Sequence, residues 1–310
     1  GEARGAAADA INLINMTLSE NYLNWDNLLG ATQIFLDKGF LVLAMSFIIL
    51  AGQIDISVGS IIALSAVCMG VSYNAGSGLP MVLSMALCLL VATLCGLFNG
   101  LMITRFRELP AMIVTLSTMI IYRGIASIML EDKGAGKFPS WFYFLSWGFV
   151  GPAPFVLLCF LFFAAVLAVL MRATVFGRKV RAIGSNALAA RFSGIRDDNA
   201  LLTCYVLMGF LSGVGALFLA SKTGSTRPNM ATGYEMDVIA MTVLGGFSTM
   251  GGKGNLSGSV LAVFIIGFLY FGLGLVNIPT QLMTILLGVL LLVADGIANN
   301  ISSGVDPKRA

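Results

Sequence analysis

Six polar side chains stand where the sequence is otherwise apolar. Gln53, Asp55 and Ser57 lie in "LAGQIDISVGSIIALS" (50–65), between Gly52 and Gly59, inside a run that is apolar from about Ile34 to Tyr73. Arg123 interrupts a second apolar stretch, and Glu235 with Asp237 stand at the start of a third. Short polar side chains beside a glycine can cap a helix that starts anew, because they accept from its freed backbone N–H groups. The same groups can line a path or gate for a polar solute, since an ionisable group at membrane depth faces protein or water and needs a partner. For Arg123 the candidate partners are Glu235 and Asp237, and a stabilising ion pair would satisfy all three without any role in transport. Hydrolytic chemistry has no foothold. The chain contains no histidine, which removes His-based zinc sites and Ser-His-Asp triads together. No catalytic residue, metal or cofactor is assigned.

The elements that position these groups follow from hydropathy. Of 310 residues, 58% are hydrophobic and 11% charged, with a mean hydropathy of +0.92; soluble domains carry about 25% charged residues. Apolar blocks near the ~20 residues a spanning helix needs fall at 33–51, 56–73, 80–104, 110–130, 153–171, 200–221, 256–275 and 279–297, with a shorter one at 236–247. The expected fold is all-α, a polytopic transmembrane bundle with broken helices and nine to ten membrane segments. Residues 1–32 read as an N-terminal segment with a weak or missing first membrane helix. Asp9, Asn12 and Asn15 interrupt it, and an Asp at a helix centre costs about 2.5–3.5 kcal/mol on insertion. Residues 33–297 form the transmembrane domain and 298–310 a cytoplasmic tail.

Lys and Arg orient the bundle. With Arg105 and Arg107 inside, Arg172, Arg178, Lys179, Arg181, Arg191, Arg196, Lys253, Lys308 and Arg309 fall on the same side. Only Arg4, Lys38, Lys133, Lys137, Lys222 and Arg227 lie outside. No face or tail is basic enough for nucleic acid, and membrane lipid is the expected surroundings. The five cysteines all sit in apolar blocks, as small packing residues rather than a disulfide framework.

Loop 172–199 is cationic, cytoplasmic and contains a short Ala-rich helix, "NALAARF" (186–192). Ser185 or Asn186 can cap its start, and Gly194 can supply a left-handed stop. Such a rigid protrusion is what a partner domain can grip. "TMGGKG" (249–254) fails as a phosphate loop, because Phe247 and Gly254 occupy the required Gly and Ser/Thr places. Its glycines suit a tight turn and close helix packing.

Three motifs carry a resemblance. "GQIDISVGS" (52–60), "GRKVRAIGSNALAARFSGI" (177–195) and "GYEMDVIAMTVLGGFSTMGGKG" (233–254) are similar to signatures of permease subunits of bacterial ABC importers, of the ribose and branched-chain amino acid class. The resemblance implies a multi-pass protein of the bacterial inner membrane that moves a sugar or sugar-like signal molecule, delivered by an extracytoplasmic substrate-binding protein. It also implies an ABC ATPase subunit and a second permease copy or paralogue as partners. Asn186, Ala189, Ala190, Arg191, Ser193, Gly194 and Ile195 would then couple to the ATPase, with Ala190 on the docking face. Gln53, where Gly is commoner, and Leu188, where Glu is common, depart from the pattern. "PAMIVTLSTMIIYRGIASIML" with "KFPSWF" resembles branches that handle rhamnose-type sugars or autoinducer 2. An ion-coupled secondary transporter is the competing reading; its coupling carboxylates should lie near the bilayer centre, whereas Asp55, Asp237 and Asp295 fall near span ends.

Overall fold

A computed structural model describes residues 25–74, 78–131, 133–275 and 277–303. Most of the N-terminal segment expected over 1–32, and the end of the tail, lie outside the described residues. Helix α1 (Trp25–Leu50) starts well before the expected residue 33. Hydropathy marks only the apolar part of a helix, and the polar first turn with Asp26 and Asn27 carries no such signal. There follow α2 (Val58–Asn74), α3 (Met81–Arg105), α4 (Ala111–Leu130), the one-turn α5 (Phe144–Trp147) and α6 (Phe155–Ala173). After them come α7 (Val175–Ser185), α8 (Ala187–Phe192), α9 (Asp197–Thr223), α10 (Tyr234–Leu244), α11 (Leu256–Leu275) and α12 (Thr280–Ser303). Pro80, Pro110 and Pro154 stand immediately before α3, α4 and α6. A residue preceding proline is pushed out of the helical region, so these prolines set the starts.

The bundle is all-α, as expected, with only two-residue strands such as Ala135–Gly136 paired antiparallel to Ser225–Thr226. Among the described residues six helices are long and apolar enough to cross a membrane: α1, α3, α4, α6, α9 and α11. Two shorter apolar helices, Val58–Asn74 and Gln281–Leu292, fall below that length, and α10 is shorter still at 11 residues. The expected nine to ten membrane segments are therefore not reproduced by helix length alone.

Burial divides centre from periphery. In α1, 89% of the apolar stretch is buried, and in α9 67%, against 22% in α6. Helix α1 thus runs through the middle, packed on α6, α9, α10 and α11. Its phenylalanines carry much of that packing: Phe40 stacks on Phe218 of α9 at 4.9 Å between centroids and meets Phe160 of α6 edge-on at 6.0 Å.

Helices α3 and α9 approach most closely. Gly96 and Gly100 on α3 face Tyr205 and Gly209 on α9, Gly213 faces Ala92 of α3, and Cα of Gly209 lies 2.8 Å from where a Cβ on Gly96 would sit. Both helices thus bring a small-xxx-small pattern to one crossing, which is how helices pack where no hydrophobic force separates side chain from lipid. Gly96→Leu is expected to force the pair apart. The measurement is thermal unfolding of the purified protein in detergent, where the variant should lose at least the ~1–3 kcal/mol typical of overpacking, while Gly124→Ala, whose Cβ would meet nothing within 4 Å, should leave it unchanged.

Candidate functional site

The polar stretch 53–57 sits in a break between two helices, and the chemistry of the break is fully specified. Gly52 takes φ +74°. Its N–H donates to Ile49 O at 2.9 Å and the Gln53 N–H to Ile48 O at 3.0 Å, the paired bonds of a Schellman stop. Asp55 does not cap α2 in the expected way. Its Oδ1 accepts from the Ser57 N–H at 2.8 Å and from Ser57 Oγ at 2.6 Å, forming an Asx-turn. Ser57 is the residue at the helix start, its carbonyl accepting from Ser60 and Ile61 N–H groups.

From there a buried polar column crosses to α3 and α4. Asn99 Nδ2 donates to Ser57 Oγ at 2.8 Å, and the Tyr122 hydroxyl lies 3.1 Å from both Asn99 Oδ1 and Cys95 O. Asp55, Ser57 and Asn99 are wholly buried. Among the described residues, Asp55 Oδ2 and the Tyr205 hydroxyl have no hydrogen-bond partner. Asn99 and Tyr122 escaped the sequence reading because single polar residues within long apolar helices give no motif. Gln53 lies apart from the column, half-buried beside Arg107, Arg191 and Asp197.

The ends of three segments, after α1, late in α7 and after α10, meet backbone to backbone. The Gly252 N–H donates to Leu50 O at 2.9 Å. A Cβ on Gly184 of α7 would collide with Leu50 O and lie 2.6 Å from Gly252 N, and one on Gly251 would lie 2.8 Å from Gly52 Cα. Gly251 and Gly252 hold φ +84° and +74°, a conformation that glycine alone adopts freely. This is the tight turn and close packing expected of "TMGGKG".

Beyond the junction projects the short helix α8. Asn186 Oδ1 accepts from the Ala189 N–H at 2.9 Å, so Asn186 rather than Ser185 is the cap. Gly194 stops the helix at φ +79°, its N–H donating to Arg191 O at 2.9 Å and the Ile195 N–H to Ala190 O at 3.0 Å. Asn186, Ala189, Arg191, Ser193 and Gly194 are exposed, as are Leu188 and Phe192, the latter 85% exposed. Ala190 corrects an expectation: it is 5% exposed and faces the core, with Ile195 half-buried beside it. A single turn and a half of helix must turn one side toward α9, and Ala190 is the small residue on that side. Asp197, missed in the sequence, anchors the arm. It is 4% exposed, accepts from Arg191 at 2.6 Å, and lies 3.5 Å from Arg107, which also pairs with Asp198.

At the opposite end of the bundle Arg123 does not pair as expected with Glu235 or Asp237. It donates to Pro228 O at 2.7 Å and Met230 O at 2.8 Å, holding the segment before α10. Glu235 accepts from its own Gly233 N–H at 3.2 Å, and Asp237 pairs with Lys38. The loop bends its carbonyls toward Arg123, a geometry that charge spacing in sequence cannot reveal.

Six helices long and apolar enough to cross a membrane, with a helix break held by glycines and buried polar groups, fit the broken-helix construction of transporters; the class is a transport permease of the bacterial inner membrane. The chain belongs to the family described as branched-chain amino acid transport system / permease component, which it matches over residues 27–294. It is similar to the autoinducer 2 import system permease protein LsrD of Salmonella typhimurium, 36% identical over 295 residues that cover 92% of this chain and 85% of that one. The proteins of the same name from Yersinia enterocolitica and Escherichia coli are 35% and 34% identical, covering 86% and 89% of this chain and 81% and 84% of theirs. No solved structure matches the chain.

If Asp55 and Asn99 act through Ser57 as one column, Asp55→Ala and Asn99→Ala should not add. Each is expected to destabilise by about 1–3 kcal/mol, and the double variant to fall short of the sum by about 0.5–3 kcal/mol. Denaturation of the four proteins in detergent measures this, and strict additivity would show two independent sites.

Proposed function

We propose that the chain is the membrane-spanning subunit of an ATP-driven importer whose solute is a sugar-like molecule of the autoinducer 2 kind. The substrate assignment rests on the relatives, which are named as autoinducer 2 import permeases. In this reading a separate ABC ATPase, an extracytoplasmic binding protein and a second permease copy or paralogue complete the transporter. The chain itself performs no covalent chemistry.

One observation supports this reading most: the exposed arm is joined rigidly to the helix break. Leu188, Phe192 and the exposed face of Asn186, Ala189, Arg191, Ser193 and Gly194 present an apolar-and-basic surface at the cytoplasmic end. Helix α7 then leads back to Gly184, which touches both Leu50 and Gly252. A push on α8 therefore reaches the end of α1 through backbone contacts, with no flexible side chain to absorb it. Interiors packed this closely transmit displacement. Gln53, Asp55 and Ser57, just past that end, are in position to act as gate elements. The ion-coupled alternative loses one of its carboxylates, since Asp237 is held by Lys38.

Two experiments test the proposal. The purified chain in liposomes with autoinducer 2 and ATP should show no ATP-dependent uptake until the ATPase subunit, the binding protein and any permease paralogue are added; uptake by the lone chain would defeat it. Phe192→Asp with Leu188→Asp should weaken ATPase binding at least about tenfold, equivalent to about 1.4 kcal/mol, with the permease still folded. Co-purification is the readout. Ala190→Glu should instead unfold the arm, because Ala190 is already buried within the chain.

A further inference from the structure

A cleft of about 380 Å³ opens between α1, α10 and α11, walled by Phe35, Lys38, Tyr234, Tyr270, Phe271 and Gly274. That is within the range of about 300–1,000 Å³ usual for small-ligand sites. It lies toward the outer side of the bundle, with Leu275 at the outer end of α11 on its rim.

Two ion pairs lie behind this largely apolar wall, and they differ; of their four members only Lys38 lines the cleft. Lys222 Nζ lies 2.8 Å from Asp37 Oδ1, and the Tyr234 hydroxyl donates to Oδ2 of the same carboxylate at 2.9 Å. With the Asp37 side chain 3% exposed, that pair is closed and structural. Lys38 pairs with Asp237, yet their side chains stay 17% and 14% exposed. The Lys38 ammonium lies 4.5 Å from the Tyr234 ring centroid and 5.5 Å from that of Tyr270. An ammonium has three N–H donors, and Asp237 is its hydrogen-bond acceptor. A desolvated ion pair is a poor source of stability. The spare donors of Lys38 and the aromatic faces of Tyr234, Tyr270 and Phe271 around one small cleft suit a compact ring bearing several hydroxyls. The ammonium binds the hydroxyls, and the tyrosine and phenylalanine rings cover the C–H faces.

We infer that this cleft is a sugar-binding station of the permease, with Lys38, held in place by Asp237, as its polar contact and Tyr234 and Tyr270 as its walls. The assignment rests on the importer reading. The test uses Gly274→Cys, because a Cβ at Gly274 meets nothing within 4 Å, in a background with the native cysteines replaced. In the complex with its ATPase and binding protein, alkylation by a water-soluble maleimide is followed with and without whichever of ribose, rhamnose and autoinducer 2 the complex imports. At ten times its Kd the sugar should slow alkylation about tenfold, and the alkylated complex should lose uptake while keeping its ATPase. Lys38→Met combined with Asp237→Asn, which leaves no lone buried charge, should abolish the protection. An alkylation rate indifferent to the sugar in a complex that still transports overturns the cleft and spares the importer reading. A complex that imports none of the three defeats the importer reading, and this assignment with it.

Discussion

The Leu50 carbonyl has no helical partner once α1 ends, and the Gly252 N–H supplies one from a distant loop. Much of the cytoplasmic half depends on that bond and on the glycines that let it form. An orphan carbonyl within an apolar bundle costs several kcal/mol, so the chain cannot break α1 there without bringing a donor to it. The donor arrives only if Gly251 and Gly252 hold left-handed backbone and Gly184 leaves room for both strands of chain. Three segments far apart in sequence are thereby locked at one point, and the break, the turn after α10 and the base of the cytoplasmic arm become one mechanical unit.

The same constraint orders the rest of the polar inventory. Polar groups within the bundle are placed in chains rather than singly: Asp55 with Ser57 and Asn99, Asp37 with Lys222 and Tyr234, Asp197 with Arg191 and Arg107. Each chain ties at least two helices or loops together. The first ties the break to α3, the second α1 to α9 and α10, and the third α8 to the loop after α3. Between these polar ties the helices pack through small residues, closest at Gly96 and Gly209. A bundle packed this closely shifts between discrete packings rather than deforming continuously.

Sequence alone determined the class of fold and the location of the unusual segments. Low charge and block hydropathy exclude a soluble domain, and the glycine beside Gln53, Asp55 and Ser57 signals a helix that ends and restarts. The "NALAARF" stretch with Asn186 and Gly194 was legible as a capped and stopped helix, because cap chemistry is local and reads over a few residues. Partners were not legible. Arg123 has carboxylates at plausible spacing but bonds to Pro228 and Met230 carbonyls, and Ala190 turns inward although nothing in its neighbours says so. Asn99, Tyr122 and Asp197 gain their roles only when helices cross. The division has one physical cause: capping and hydropathy act within a turn or two of chain. Which buried donor meets which acceptor depends instead on how whole helices pack, and that is decided by long-range contacts between glycines and aromatic rings.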